Sequence, residues 1–224
     1  MGRLLSEKGV CIDVSPLESA AAQVSQGGKN DARWNYDIHD LTFKISRPKK
    51  IYPSSACDFR VALSLRLAGR FTADIADQFT HMEINVEKYA LGKNGVQLKS
   101  AWHFDRHIID TDKDDPYATD DIHPLYHFQF GGARLESISE DLGSTFLVDP
   151  PRLMHPPLDG ILAIDFVLSN YEGVSWKRLR EERRYVNLVD AKLEELWKPY
   201  FSSISNSWQN PREPLSCFLC PSVM

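Results

Sequence analysis

Val61-Ala62-Leu63-Ser64-Leu65-Arg66-Leu67 places an apolar residue at every odd position, and this period of two decides the fold class. Side chains of an extended chain point alternately to opposite faces, so such a stretch buries one face and wets the other. The same alternation recurs on both sides of it. Leu41, Phe43 and Ile45 alternate over residues 41–45, and over 80–89 Met82, Ile84 and Val86 oppose His81, Glu83, Asn85 and Glu87. Leu91-Gly92-Lys93-Asn94-Gly95 then carries the Asn-Gly pair favoured in hairpins. Over 96–108, Leu98, Trp102 and Phe104 share one face, and Ala101, His103, Asp105 and His107 the other. Over 125–134, Tyr126, Phe128 and Phe130 oppose His127 and Gln129, with a stop or bend at Gly131-Gly132. Strands joined by short turns predict a mainly antiparallel sheet with one wetter face.

Beyond Asp149-Pro150-Pro151 the pattern becomes helical. Pro156-Pro157 opens a helix continuing over 158–171, apolar almost all round and therefore expected to be buried. A second, longer helix is expected over 176–200, with Leu179, Val186, Val189, Leu193, Leu196 and Trp197 along one stripe. The expected fold is α+β: an antiparallel sheet from the N-terminal two thirds, with two C-terminal helices packed on one face. Residues 1–33 read as a polar N-terminal segment with a marginal helix over 16–24 and a flexible joint after it. Residues 34–201 read as one domain, sheet over 34–135 and helical over 156–200, and 202–224 as an irregular tail.

Composition excludes several classes. The chain has 224 residues, 42% of them hydrophobic, enough for a packed core. A net charge of −5 provides no global basic field for a nucleic-acid backbone, so nucleic acid is not favoured as a partner. No apolar run is long enough to span a bilayer, and MGRLLSEKG lacks the apolar core of a secretory signal. Met1-Gly2 with Ser6 fits a myristoylation pattern too permissive to carry weight. Four scattered cysteines make no disulfide framework, and Cys217-Phe-Leu-Cys220 is a lone pair without two further zinc ligands. These features predict a reduced, cytoplasmic protein without a membrane partner.

Five of the seven histidines fall between residues 103 and 155: His103, His107, His123, His127 and His155. Imidazole suits both transition-metal binding and proton transfer near neutral pH. His103, Asp105 and His107 project from one strand face at intervals of ~6.8 Å, and His127 joins them if the two strands pair. His103, His107, His127 and His155 are thus the candidate ligands of a transition metal such as zinc. Ligands successive on one strand are too far apart to share a metal unless the strand bulges or other elements contribute. A metal-free alternative makes His103, Asp105 and His127 acid–base groups, with Arg134 and Arg152 gripping a carboxylate or phosphate. Surface or structural roles for these side chains are the competing expectation. His123, before a proline, reads as orienting its loop.

Other signals are weaker. The acidic run DTDKDDPYATDD over 110–121 lacks the glycine and terminal glutamate of a calcium loop. Arg106 falls on the apolar side of its strand. Asp165, inside ILAIDFVLSN, needs a cationic or histidine partner from the sheet, or a cavity. No catalytic signature such as GxSxG, HExxH or a phosphate-binding loop is present. The sequence therefore points first to a binding or accessory subunit of a multi-protein assembly. Aromatic anchors and the arginine-rich stretch 177–184 would meet a protein partner. The alternative is a hydrolase or nuclease-like enzyme, metal-dependent or driven by the histidines.

Overall fold

The computed structural model describes residues 1–26, 33–48, 50–71, 77–107, 123–131, 135, 151–209 and 219. Among these residues six strands form one sheet: β1 Arg33–Lys44, β2 Cys57–Arg70, β3 Phe79–Leu91, β4 Gln97–Arg106, β5 Tyr126–Phe130 and β6 Leu153–Met154. Each pairs antiparallel with its neighbour, in the order β1-β2-β3-β4-β5-β6. With the C-terminal helices this is an α+β fold. The expected alternation is visible in β2, where Val61, Leu63, Leu65 and Leu67 are all buried. β3 and β4 are joined by a tight turn over Lys93–Gly95, with Gly95 at φ 75, a backbone state that favours glycine.

β1 shows how the chain repairs a break in phase. Trp34, Tyr36 and Ile38 face the core from even positions, whereas Leu41 and Phe43 do so from odd ones. The register accordingly shifts between Ile38 and Leu41, with Asp40 at φ 50. Its backbone N–H donates to Ser64 Oγ at 3.0 Å, which anchors the bulge on β2.

The helices are α1 Gly2–Glu7, α2 Ser15–Gln26, α3 Gly160–Tyr171, α4 Gly173–Arg180, α5 Arg183–Lys192 and α6 Lys198–Gln209. A wider-wound segment, Leu193–Trp197, joins α5 to α6. α3 starts after Pro156-Pro157, at Asp159, whose carboxylate accepts from the N–H groups of Ile161 and Leu162 at 3.0 and 2.9 Å. Ala163, Ile164, Val167 and Leu168 are buried along it.

The long helix expected over 176–200 is instead broken at Glu181 and Glu182, the latter extended at ψ 112. Leu179 and Tyr185 are both fully buried, yet a continuous helix would turn them ~120° apart. Breaking the helix lets both reach the core. At the other end α6 runs on to Gln209, taking in residues expected to be irregular. Tyr200 and Ser207 are buried and Ile204 packs on the core, at the spacing of one helix face. The remaining tail, apart from buried Leu219, lies outside the described residues, as does the pair Cys217 and Cys220.

α1 has no counterpart in the sequence expectations, although Leu4 and Leu5 are buried in the main core. α2 lies along β1, where Gln23 Oε1 accepts from the N–H of Asp37 at 2.8 Å. Ile12 N–H donates to Thr42 O at 3.0 Å, so the N-terminal residues satisfy part of the β1 edge. α3 and α6 meet the sheet on its apolar face, through Phe166 on Phe104 and Tyr200 on Tyr126. Among the described residues no helix is long and apolar enough to cross a membrane.

Candidate functional site

The opposite face of the sheet is polar, and pairing assembles it. Register sets His103 between Asn85 of β3 and Gln129 of β5, and Asp105 between Glu83 and His127. His103 Nε2 lies 3.3 Å from Asp105 Oδ2. Ala101 is fully buried here, and Asn85, Glu87, His127 and Gln129 are buried polar groups of the same face. Lys99 pairs with Glu87 at 2.6 Å, and Asn85 Nδ2 donates to Glu83 Oε1 at 3.0 Å. Such internal pairing is what allows these polar groups to be buried.

At the β4–β5 end three imidazoles meet. His107 leaves β4 with its N–H donated to Leu125 O at 2.7 Å. Its ring stacks on His123 at 4.1 Å, and His123 meets His127 edge-on at 4.7 Å. Nδ1 of His127 donates to Pro124 O at 3.2 Å, which leaves Nε2 as an acceptor. Burial is the main cause that lowers the pKa of all three rings. Arg152 and Arg106 add to it at His107; His107, His127 and Arg152 do so at His123; and His103, Arg152 and His107 do so at His127. His123 falls to about 3 and His127 to about 4. At neutral pH the group is therefore three uncharged rings beside the guanidinium of Arg152, with that of Arg106 acting on His107. Asp105 is shifted the opposite way, to about 6, because burial outweighs its attraction to His103 and Glu83 adds repulsion.

His155 stands apart. Its ring lies 5.0 Å from Phe104, 5.6 Å from Phe128 and 6.1 Å from both Phe166 and Trp197. Its Nδ1 donates to Pro156 O at 2.7 Å. β6 pairs Met154 with His127 and Leu153 with Phe128. Alternation then carries residue 155 to the Phe128 side, so the sheet separates His155 from the other rings. Among the described residues no group of three or more His, Cys, Asp or Glu side chains is arranged to hold a metal. The expected ligand set His103, His107, His127 and His155 is thus not brought together. Arg134 and the acidic run 110–121 lie outside the described residues.

The chain matches no family model, no curated protein and no solved structure.

Two charged groups considered from the sequence belong to the framework. Arg106 makes a two-pronged pair with Asp77, at 3.0 and 2.7 Å, and Tyr126 Oη donates to the same carboxylate at 2.6 Å. Asp165 is met by Trp176 Nε1 at 2.8 Å, Arg180 at 2.9 Å and Tyr185 Oη at 2.9 Å. Its partners come from α4 and α5 rather than from the sheet, which removes it from the histidine face. Sequence reading undervalued His123 and gave the site nothing from β3. His123 stands four residues before His127 in the sequence, but only strand register shows which β3 residues adjoin His103 and Asp105.

Proposed function

We propose that this protein is a binding subunit, and that the histidine face holds a carboxylate- or phosphate-bearing partner. Arg152 supplies the permanent charge, and His107, His123 and His127 form a shell that takes up protons as the anion arrives. The reading is supported by three adjoining rings, His107 stacked on His123 and His123 edge-on to His127, which burial and the charge of Arg152 hold uncharged. An anion placed there offsets the two causes that hold the rings neutral, exclusion from water and cationic neighbours. Binding therefore raises their pKa values, and by linkage affinity rises as pH falls. A base with a pKa of about 3 or 4 has little driving force for proton abstraction at neutral pH, which weighs against catalysis by His123 or His127.

One observation favours the enzymatic alternative at a neighbouring point. Asp105, at about 6 and in contact with His103, has the proton affinity of a general acid or base near neutrality. In that reading His103 orients the carboxyl group and the Arg152 cluster holds an anionic substrate.

Calorimetric titration with inorganic phosphate, at about pH 7.5 and about pH 5.5, tests the binding reading. The expected result is tighter binding with greater proton uptake at the lower pH, and at least roughly tenfold weakening in Arg152→Ala, as for loss of a charge-assisted contact. Absence of binding at both pH values, or an unchanged affinity in Arg152→Ala, overturns it. Phosphoester or peptide hydrolysis abolished by Asp105→Asn would favour the enzyme instead.

A further inference from the structure

On the apolar side of the sheet, away from the histidines, the ends of β1, β2 and β3 meet α2, α3 and the segment after α5 around a cavity of about 470 Å3. This is the size of a small-molecule site. Trp34 and Tyr36 form one wall, their rings stacked at 6.0 Å and 27°, and Phe79 meets Trp34 edge-on at 5.5 Å. Trp34 is held across the backbone of β2: a Cβ at Gly69 would lie 2.3 Å from its Cζ2. The aromatic wall is thus built before any ligand arrives.

One polar group in this wall is half-used. Tyr36 Oη accepts from the N–H of Gly160 at 3.0 Å, while its own proton meets no acceptor among the described residues. Burial, with Asp159 and Glu195 nearby, pushes the phenol pKa up, so the proton stays on oxygen. The charges of the lining cancel: Asp159 and Glu195 stand against Lys192 and Arg70. Lys192 is already bound, 2.6 Å from Glu195 and 3.7 Å from Asp159. A charged ligand would lose hydration there against a lining of no net charge. Glu195 and Leu196 lie on the wide-wound segment Leu193–Trp197, whose Glu195 carbonyl accepts from Gln78 Nε2 at 3.1 Å. Such segments recur at functional sites.

We infer that this cavity binds a planar, uncharged, ring-containing small molecule, whose carbonyl oxygen or ring nitrogen accepts the Tyr36 O–H. The ring packs against Trp34 and Phe79, and the acceptor satisfies the phenol proton. This site is separate from the histidine face and does not depend on it.

Coumarin, a neutral fused ring with a lactone carbonyl, is the probe, with naphthalene as the ring lacking an acceptor and coumarin-3-carboxylate as the charged comparator. Affinities are read by saturation-transfer NMR on the full chain. Coumarin is expected to bind, and Tyr36→Phe to weaken it about fivefold or more while leaving naphthalene nearly unchanged, since coumarin alone loses a hydrogen bond to the protein. Val24→Trp, a bulky change at an exposed residue of the rim, is expected to weaken both neutral rings. No coumarin binding, equal binding by Tyr36→Phe or Val24→Trp, or tighter binding of the carboxylate overturns the inference.

Discussion

His107 and His123 stack their rings at 4.1 Å, 25° from parallel, a contact that two protonated imidazoles would oppose by charge repulsion. The stack adds to the burial that lowers the proton affinity of His123. It links the fold to pH in a definite direction.

His127, with a folded pKa of about 4, binds its proton later than an unfolded histidine, at about 6.5. Between those values the unfolded chain holds more protons, so stability falls as pH falls. For this buried ring the loss across the window is about 3 kcal/mol at most. Urea midpoints measured from about pH 7 to about pH 4 should show the slope, and His127→Gln should flatten it. The NMR signals of the His123 and His127 rings should stay in their neutral positions down to about pH 5; titration near 6.5 would refute the assignment.

Asp105 behaves with the opposite sign. Its folded pKa of about 6 lies above the unfolded value, so its contribution is fully present at low pH and lost as pH rises through 6. Asp105→Asn keeps the shape and removes the buried charge. After allowance for partial exposure, it should raise stability by about 1 kcal/mol above pH ~7 and change nothing below pH ~4. Destabilisation at high pH would mean that pairing with His103 outweighs burial.

The carboxylate of Asp77 serves both Arg106 and Tyr126 in a largely buried setting. Asp77→Ala leaves a guanidinium without its counter-charge and should cost ~3 kcal/mol in denaturant unfolding. Tyr126→Phe removes one hydrogen bond and should cost ~1 kcal/mol. Equal costs for the two variants would show that the ion pair contributes little.

Gly69→Ala should be among the most damaging single-methyl additions in the sheet. The new carbon would lie 2.3 Å from Trp34 and 2.5 Å from the backbone oxygen of Gln78, and the latter contact cannot be relieved by a rotamer change. A loss of ~3 kcal/mol is expected, with a shifted Trp34 indole N–H signal. A variant of unchanged stability and spectrum would show that β2 and β3 can separate locally at little cost.

Much of the strand pattern was legible because alternation is local: Met82, Ile84 and Val86 declare a buried face whatever pairs with them. The bulge in β1 was not, because Ile38 and Leu41 share a face only through the Asp40 backbone turn against Ser64. The break before α5 escaped for a similar reason. Its cause is the distant pull of buried Leu179, and of Tyr185 with its bond to Asp165, not a proline or glycine in the chain.

By itself, the order of residues determined that this protein builds an antiparallel sheet with one greasy and one polar face, and on which face of their strands His81, His103 and His127 lie. Only tertiary structure decided which of them meet. His127 came to lie beside Asp105, His123 against His107, and His155 among aromatic rings across the sheet. Side-chain direction follows from the backbone within a few residues. Contact between residues tens of positions apart follows from strand register and loop return, which depend on the packing of the whole molecule.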